Sequence, residues 1–342
     1  SPAPAILGSG YDRAPTRTAE FRALSPRFDG ILGLDDLFGL DFGDSDLLVG
    51  VFTQKSAIED GYFDFVLPLV AFADLTAAAE ASGNSDSDPP LLSDILGLVP
   101  PSELFLEEGV VESVRQYFNQ HSDTRALFAQ LQWRFLPQWT VQLAGRYSEE
   151  QKDAWWNSVF TSTTGVVLGA AGFTEFTAMR EREDSFFQPR VSLNWQPVGS
   201  LSLFAHWARA FKSGGFNAFS FRNSDDQLTY RPEYTSEWGA DIKGTFFNRR
   251  LKLNLSAYRM TVDDFQVLIR QPQAGVIGLG LSKVSNAAQA QAQGIEGDVT
   301  WLMASWLRWF VTVGYNDTEY LNFPNNECPP DRDNQDGDDN PL

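Results

Sequence analysis

The feature that most constrains this chain is a regular alternation of apolar and polar side chains over stretches of up to about ten residues. Arg250 to Ala257 reads Arg-Leu-Lys-Leu-Asn-Leu-Ser-Ala, and the pattern recurs in Arg190 to Trp195 and Leu307 to Tyr315. Because successive side chains of a strand point to opposite faces, each stretch predicts a strand with one apolar and one polar face. Strands of about ten residues suit a membrane crossing, whereas soluble strands are usually about five or six residues long. The pattern therefore favours a membrane β-barrel.

The predicted strands come in pairs that are joined by short turns and separated by long connections. Outer-membrane barrels show this asymmetry, with short periplasmic turns at one end and longer extracellular loops at the other. The first pair along the chain is Arg17 to Leu24 with Asp46 to Gln54, and four further pairs follow, which makes about ten predicted strands. The other pairs are Thr124 to Phe135 with Trp139 to Glu149, Phe187 to Gln196 with Leu201 to Phe211, Glu237 to Phe247 with Arg250 to Met260, and Gly294 to Leu302 with Leu307 to Asp317.

We therefore predict an all-β fold, a partial antiparallel transmembrane β-barrel in which residues 1–342 belong to one barrel domain. The short turns are expected at Leu136-Pro137-Gln138, at Pro197 to Ser200, at Asn248-Arg249 and around Met303 to Ala304. Residues 55–116 are expected to form a long extracellular insertion, and residues 318–342 an acidic extracellular loop.

Alternation also predicts which side chains meet lipid. On the barrel interpretation, Leu127, Ala129, Leu131, Trp133 and Phe135 face lipid, and Gln130, Gln132 and Arg134 face a wet lumen. A soluble antiparallel β-protein would turn the same apolar face inward, and alternation alone does not separate the two.

Composition narrows the possible functions. The net charge of −19, without a cluster of Lys and Arg, argues against a nucleic-acid partner. One cysteine and two histidines, His121 and His206, leave little for a metal site, and no cofactor is expected. Catalytic motifs are missing, and the adjacent Asp263 and Asp264 would point to opposite faces of a strand, so we expect no enzymatic activity.

The segment Asp184 to Phe216 contains Phe187-Gln188-Pro189-Arg190 and Ala208-Arg209-Ala210-Phe211-Lys212, and Ser213-Gly214-Gly215-Phe216-Asn217 follows. These stretches resemble the barrel of TonB-dependent outer-membrane receptors, as do Ala126 to Tyr147, Tyr230 to Gly244 and Asn286 to Gly297. The resemblance covers about residues 117 to 324 and implies a location in the outer membrane of a Gram-negative cell. Because such receptors are large barrels plugged by an N-terminal domain, the chain is expected to be the middle of a barrel, without the plug and the C-terminal strands.

The resemblance implies active uptake of a scarce ligand such as a ferric siderophore. The implied partners are a small-molecule ligand (an iron chelate, cobalamin or a glycan), the inner-membrane TonB complex acting through a plug, and outer-membrane lipid and lipopolysaccharide. A passive porin-like channel is the main alternative, and a soluble secreted β-protein is a weaker one.

Candidate ligand-binding residues lie where a predicted strand enters an extracellular loop: Arg209, Phe211, Lys212, Phe216 and Asn217. An alternative places Phe211 and Phe216 in the aromatic girdle of a barrel, and Arg209 and Lys212 at its rim against lipopolysaccharide phosphates. Near the end of the chain, Arg332 occupies a position where a calcium loop needs an acidic or amide side chain, so a solvated acidic loop is favoured. Cys328 in this loop is expected to pair with a cysteine beyond Leu342.

Overall fold

The computed structural model describes residues 6–10, 13–30, 43–68, 111–160, 173–220, 222–270 and 282–323. These residues form long antiparallel strands and a one-turn helix, α1 (Asp225–Leu228). The strands are β1 (Ile6–Gly10), β2 (Thr16–Leu24), β3 (Phe28–Asp29), β4 (Asp44–Pro68), β5 (Val111–Leu136), β6 (Trp139–Phe160), β7 (Phe176–Val198), β8 (Leu201–Lys212), β9 (Gly215–Phe216), β10 (Thr229–Tyr230), β11 (Glu233–Phe246), β12 (Leu251–Arg270), β13 (Ser282–Ala304) and β14 (Leu307–Asn322).

One large sheet contains all of these strands except β9 and β10. Its order is β1-β4-β5-β6-β7-β8-β11-β12-β13-β14, and β2 and β3 pair with β4 on the same side as β1. The described part of this sheet therefore has 12 strands, against about ten expected, because the short β1 and β3 were not predicted. The early pair is confirmed, since Arg17 lies opposite Lys55 and Leu24 opposite Leu48.

The short turns lie close to their predicted positions. They occupy residues 137–138, 199–200, 247–250 and 305–306, so the last prediction was two residues too early. In the third turn, Phe247, Asn248 and Arg249 have φ values of 53°, 54° and 67°. This left-handed run reverses the chain within four residues and costs Asn248 less than its neighbours.

Several strands are much longer than predicted. β5 starts at Val111 rather than Thr124, and β4 continues to Pro68. The two ends of the expected insertion at 55–116 are therefore strand, while residues 69–110 lie outside the described part. Of the expected acidic loop at 318–342, residues 318–322 belong to β14, and Cys328 and Arg332 also lie outside the described part.

The outer face of the sheet carries an exposed apolar band. Leu127 is 60% exposed, Leu143 42% and Ile295 51%. Trp139 stacks on Trp195 at the short-turn end of the band, with ring centroids 5.1 Å apart, and further tryptophans, Trp207 and Trp238, lie at its other end. Charged side chains begin directly beyond the band, as at Arg125, Glu149 and Asp317. An apolar band edged by aromatic residues is the outer surface of a membrane barrel.

This band does not follow the rows of paired residues but crosses them. At the end of the band nearer the long connections, the last apolar outward residue is Phe187 on β7 and Trp207 on β8. Trp207 pairs with Val191, which lies four residues beyond Phe187 along β7. On β11 the last apolar outward residue is Trp238, and on β12 it is Ala257. Ala257 pairs with Ala240, which lies two residues beyond Trp238 along β11. A planar membrane cuts the rows in this way when the strands are tilted, as barrel closure requires.

The inner face is polar over the same depth. Arg134, predicted to face a wet lumen, donates to Asp44 at 2.9 Å and Asp46 at 2.7 Å. Further along the sheet, on the same inner face, Ser256 of β12 donates to Asp241 of β11 at 2.5 Å. These groups satisfy one another on a surface that lipid does not reach.

Within the described ranges, no helix is both long and apolar enough to cross a membrane.

Candidate functional site

The candidate site lies on the inner face at the end of the sheet that carries the long connections. Here residues 213–232, which we call the inner segment, leave β8 after Lys212 and return to β11 at Glu233. β9 pairs with β10, α1 lies between them, and the Asn217 amide donates to the Leu228 carbonyl at 2.8 Å. These contacts make the inner segment a compact unit that packs against the barrel wall.

The inner segment has an apolar base. Phe216 meets Trp156 of β6 edge to face at 5.6 Å, and Trp156 contacts Phe118 of β5 at 5.4 Å. Trp156 and Leu228 are both fully buried. Burying large apolar side chains at one point stabilises the docked position of the segment, because each contributes roughly 1.5–3 kcal/mol.

Polar side chains of β5 and β6 bind the backbone of the same segment. Gln116, fully buried, donates to the Ser220 carbonyl at 3.1 Å and accepts from the Ser220 amide at 2.8 Å. The Trp156 indole donates to the Asn217 carbonyl at 3.0 Å, and Lys152 Nζ donates to the Gly214 carbonyl at 2.8 Å. Removing such a partner would leave a buried backbone group without a hydrogen bond, which costs about 1–3 kcal/mol.

β7 holds the segment through two arginines. Arg180 donates to Asp225 at 2.7 Å and to Asn223 at 2.9 Å. Arg182 donates to the Tyr230 carbonyl at 3.2 Å and also pairs with Asp184. Arg180 therefore binds side chains of the inner segment, and Arg182 binds its backbone.

The opposite wall supplies a second set of anchors. Gln266 of β12 donates to the carbonyls of Ser213 at 2.9 Å and Arg231 at 3.0 Å. Asn286 of β13 donates to the Arg231 carbonyl at 2.8 Å and accepts from the Arg231 amide at 2.6 Å. The segment is thus bound from β5 on one side to β13 on the other, across the mouth of the barrel.

Close approach explains two of the glycines in the motif. A Cβ on Gly214 would lie 2.4 Å from Arg182 Cζ and 2.6 Å from the Tyr230 carbonyl oxygen, and one on Gly215 would lie 2.5 Å from Tyr230 Oη. A larger residue at either position would push the segment off its anchors. Burial raises the pKa of the Tyr230 phenol, which keeps this side chain neutral.

Four of the five nominated residues lie in three different surroundings. Phe216 is 7% and Asn217 6% exposed, and Asn217 exchanges hydrogen bonds with Val284 of β13 at 3.1 and 2.9 Å. Lys212 is exposed and, by strand alternation, belongs to the inner face. Arg209 belongs to the outer face, where its guanidinium lies 5.3 Å from the centre of the Tyr234 ring.

Phe211 fills a gap between β7 and β8. The pairing of these strands stops at Arg190, next to Pro189, which has no amide hydrogen to donate. Above this point Phe186 stacks on Phe211, with ring centroids 3.4 Å apart, and Tyr234 lies 6.0 Å from Phe186. The aromatic rings close a gap that the missing ladder leaves open.

The structure brings Phe216 and Asn217 together with residues that the sequence did not single out, namely Gln116, Lys152, Trp156, Arg180, Arg182, Gln266 and Asn286. One sequence signal could have indicated part of this set. Apolar and polar side chains continue to alternate beyond Glu149, where the apolar Ala154 and Trp156 share one face of β6.

The groups considered for catalysis or for a metal site have contacts within the fold. Asp264 accepts from Arg231 at 2.6 Å, and Asp263 accepts from Gln289 at 2.5 Å. His206 lies 3.2 Å from Glu237, and His121 lies 3.0 Å from Asp153. Over the described part of the chain, no group of three or more His, Cys, Asp or Glu side chains is placed to hold a metal ion.

An apolar outer band, a polar inner face and a segment anchored across the mouth define an outer-membrane β-barrel. The family model for the TonB dependent receptor-like β-barrel matches residues 7–342, so the chain belongs to that family. Its members are receptors and transporters of the outer membrane rather than enzymes. The predicted antiparallel transmembrane barrel and the outer-membrane location are thereby confirmed, against the soluble alternative.

Solved receptor structures share the fold. The ferric yersiniabactin uptake receptor FyuA from Yersinia pestis is 12% identical with a TM-score of 0.59, and the match covers 93% of this chain and 37% of that one. The siderophore receptor PiuA from Acinetobacter baumannii is 15% identical with a TM-score of 0.52, covering 92% of this chain and 41% of that one. The chain therefore spans less than half the length of these receptors, and at these identities the likeness concerns the fold.

Proposed function

We propose that this chain is the barrel portion of a TonB-dependent receptor that takes up a scarce ligand actively, with a ferric siderophore as the leading candidate. The observation that carries the proposal is the inner segment, which lies on the inner face of a barrel of this receptor family and is bonded to strands from β5 to β13. Further support comes from the two similar receptors, of which one is named for the uptake of ferric yersiniabactin and the other as a siderophore receptor. The proposed partners are the TonB complex acting through a plug, the small-molecule ligand, and outer-membrane lipid and lipopolysaccharide.

The five nominated residues would have different roles within this site. Lys212, exposed on the inner side of the rim, would contact an anionic chelate directly. Phe216 and Asn217, which are buried, would position the inner segment. Phe211 and Arg209 would close and shape the wall beside it.

Uptake of radioactive iron tests the proposal. Cells that depend on this receptor, grown under iron limitation, are given single ferric siderophores of the catecholate, hydroxamate and mixed classes. We expect at least one chelate to accumulate, and a protonophore to abolish its accumulation, because active transport draws on the inner membrane. Accumulation that persists with the protonophore would support the passive channel instead, and no accumulation of any iron chelate would reject iron as the cargo.

Substitution of Lys212 tests the site. Lys212→Ala is expected to weaken chelate binding by about ten- to 150-fold, as for a lost charge-assisted hydrogen bond of about 1.5–3 kcal/mol. Arg249→Ala, in a short turn at the other end of the barrel, removes the same charge and is the matched control. Equal binding by both variants would remove Lys212 from the site and leave the uptake proposal standing.

A further inference from the structure

One hairpin leaves the barrel wall where β8 and β11 end. Lys212 of β8 pairs with Glu233 of β11, and β9 pairs with β10 in the same register, so these short strands continue the hairpin. The continuation nevertheless contacts inward side chains of β5 and β6, namely Gln116 and Trp156. The hairpin therefore bends into the barrel. In the described part of the chain, no strand takes the two places that it vacates in the wall between β7 and β12.

The bend uncovers one edge of β7. Phe176 to Pro189 pair with β6, whereas the ladder to β8 begins only at Arg190. The Gln196 amide donates to the Gln138 carbonyl on the β6 side. Because the backbone groups of successive residues point to opposite sides of a strand, even-numbered residues of β7 bond to β6 and odd-numbered ones point to the vacated side. The vacated side is thus presented by Thr177, Met179, Glu181, Glu183 and Ser185, which are all exposed.

The facing edge of β12 is less open. Within the described ranges, Phe265 to Arg270 pair with β13 alone. The Gln266 amide, however, donates to the Glu233 carboxylate at 2.8 Å, and the Gln266 side chain donates to the carbonyls of Ser213 and Arg231. On β7, the Met179 carbonyl accepts from the Arg180 side chain at 2.9 Å, and no strand pairs with this edge in the described part. An incoming strand therefore finds its free backbone groups along β7.

Carboxylates surround the open edge of β7. Arg180 faces inward to the inner segment, so alternation turns Glu181 and Glu183 outward, and neither carboxylate forms an ion pair within the described ranges. Directly opposite Glu181 on β6 lies another carboxylate, Asp153, whose contact is His121. Like charges opposite each other are destabilising, and opposite charges on neighbouring strands are favourable. A cation beside this edge is therefore favoured.

We propose that the open edge of β7 binds an extended, basic polypeptide as an added strand. The backbone of the polypeptide would bond to the odd-numbered residues from Thr177 to Ser185. Its outward lysines or arginines would lie beside Glu181 and Glu183, and the same carboxylates would repel an acidic strand. The edge lies beyond Phe187, the last apolar outward residue of β7, and so outside the membrane. Such binding does not depend on uptake or on the cargo.

The test uses the native protein, isolated from outer membranes in detergent, and a fluorescent peptide of about nine residues in which lysine and threonine alternate. This length spans Thr177 to Ser185. Fluorescence anisotropy measures binding, and hydrogen exchange resolved to single amides locates it. We expect saturable binding that slows exchange at the odd-numbered amides of this stretch. A peptide with glutamate in place of lysine should not bind, and one with proline in place of threonine should bind at least about tenfold more weakly, because it lacks amide donors.

Two double variants separate the edge from the general charge of this surface. Glu181→Gln with Glu183→Gln should weaken binding of the lysine peptide by about two- to thirtyfold, as for two cross-strand ion pairs. Glu149→Gln with Asp153→Asn removes the same charge one strand further away, on β6, and should weaken binding less than about twofold.

Met179→Pro tests the backbone contact alone. It removes one amide donor from the open edge and leaves the β6 ladder intact, so the protein should fold normally and bind the lysine peptide about two- to tenfold more weakly. The proposal is overturned by absence of binding, by exchange that is not slowed between Thr177 and Ser185, by equal weakening in both double variants, or by equal binding of the proline peptide. None of these measurements involves iron uptake, so a failure of the uptake proposal leaves them intact.

Discussion

Trp156 shows how a single side chain joins the barrel wall to the inner segment. Its ring contacts Phe118 on β5 and Phe216 on β9, while its indole N–H binds the Asn217 carbonyl. Tryptophan suits this position because one residue supplies both a large apolar surface and a hydrogen-bond donor. At the residue scale, the site therefore depends on shape as much as on charge.

Gly214 gives the first prediction. Gly214→Ala should loosen the inner segment, because the new Cβ would collide with Arg182 and the Tyr230 carbonyl. We expect faster amide hydrogen exchange over residues 213–232 with little change in the strands, and chelate binding should weaken with it. Gly199→Ala is the control, since a Cβ there meets nothing within 4 Å. Unchanged exchange in Gly214→Ala would show that the segment has room to adjust.

At the element scale, sequence reasoning located strands and turns where one face is apolar and the other polar. It did not locate the parts of β5, β6 and β7 that lie nearer the long connections. There the apolar side chains lie on the inner face of the sheet rather than on the outer face. On β6, outward Leu143 gives way to outward Asp153, while inward Ala154 and Trp156 become the apolar ones. A pattern that reverses within one strand resembles a loop when it is read from sequence alone.

The same limit applies to the candidate site. The motif after β8 could be found, but its partners are distant in sequence: Trp156 lies 60 residues before Phe216, and Gln116 lies 104 residues before Ser220. Such contacts depend on register between distant strands, which local alternation does not specify.

Neighbouring residues on β6 provide the second prediction. Leu143 lies in the middle of the apolar band and faces outward, whereas Gln142 faces inward among polar side chains. Leu143→Arg should destabilise the folded barrel by about 2–4 kcal/mol, as for a charge at the bilayer midplane. Gln142→Arg should cost far less, and urea unfolding in lipid vesicles measures both. Equal costs would mean that the two faces have been assigned the wrong way round.

The helix α1 provides the third prediction, which concerns pH. A hydrogen bond from Ser224 is the main cause that lowers the pKa of the Asp226 carboxyl, and Lys283, 3.5 Å away, adds to it. Since the folded pKa lies below the unfolded value, the carboxylate stabilises α1 above the ordinary carboxyl range, and this contribution is lost as the pH falls through the lowered pKa.

Acidification should therefore increase the mobility of a spin label at position 222, in a protein with Cys328→Ser, as the pH falls below about 4. In Asp226→Asn the label should already be more mobile at neutral pH and should respond less to acid. An identical response in both proteins would assign the effect to other carboxylates, such as Asp225 with its Arg180 partner.

At the scale of the whole molecule, the fourth prediction tests strand tilt. Leu143, Val191, Trp207, Trp238 and Arg259 form one row of paired residues across five strands. Because the apolar band crosses this row, a spin label at position 143 should lie deep in lipid, and one at position 259 should lie in water. Accessibility to oxygen and to a polar nickel chelate distinguishes the two. Equal depths would mean that the strands stand upright in the membrane.

The anchors of the inner segment also bear on how a receptor of this kind can change its ligand. Gln116, Trp156, Gln266 and Asn286 all bind backbone atoms of the segment, at Ser220, Asn217, Ser213 and Arg231. Backbone atoms are the same for every residue type, so substitutions at Arg231, whose side chain is 68% exposed, would keep its anchors. Evolution can therefore revise the exposed chemistry of the mouth one residue at a time, while the wall continues to hold the segment in place.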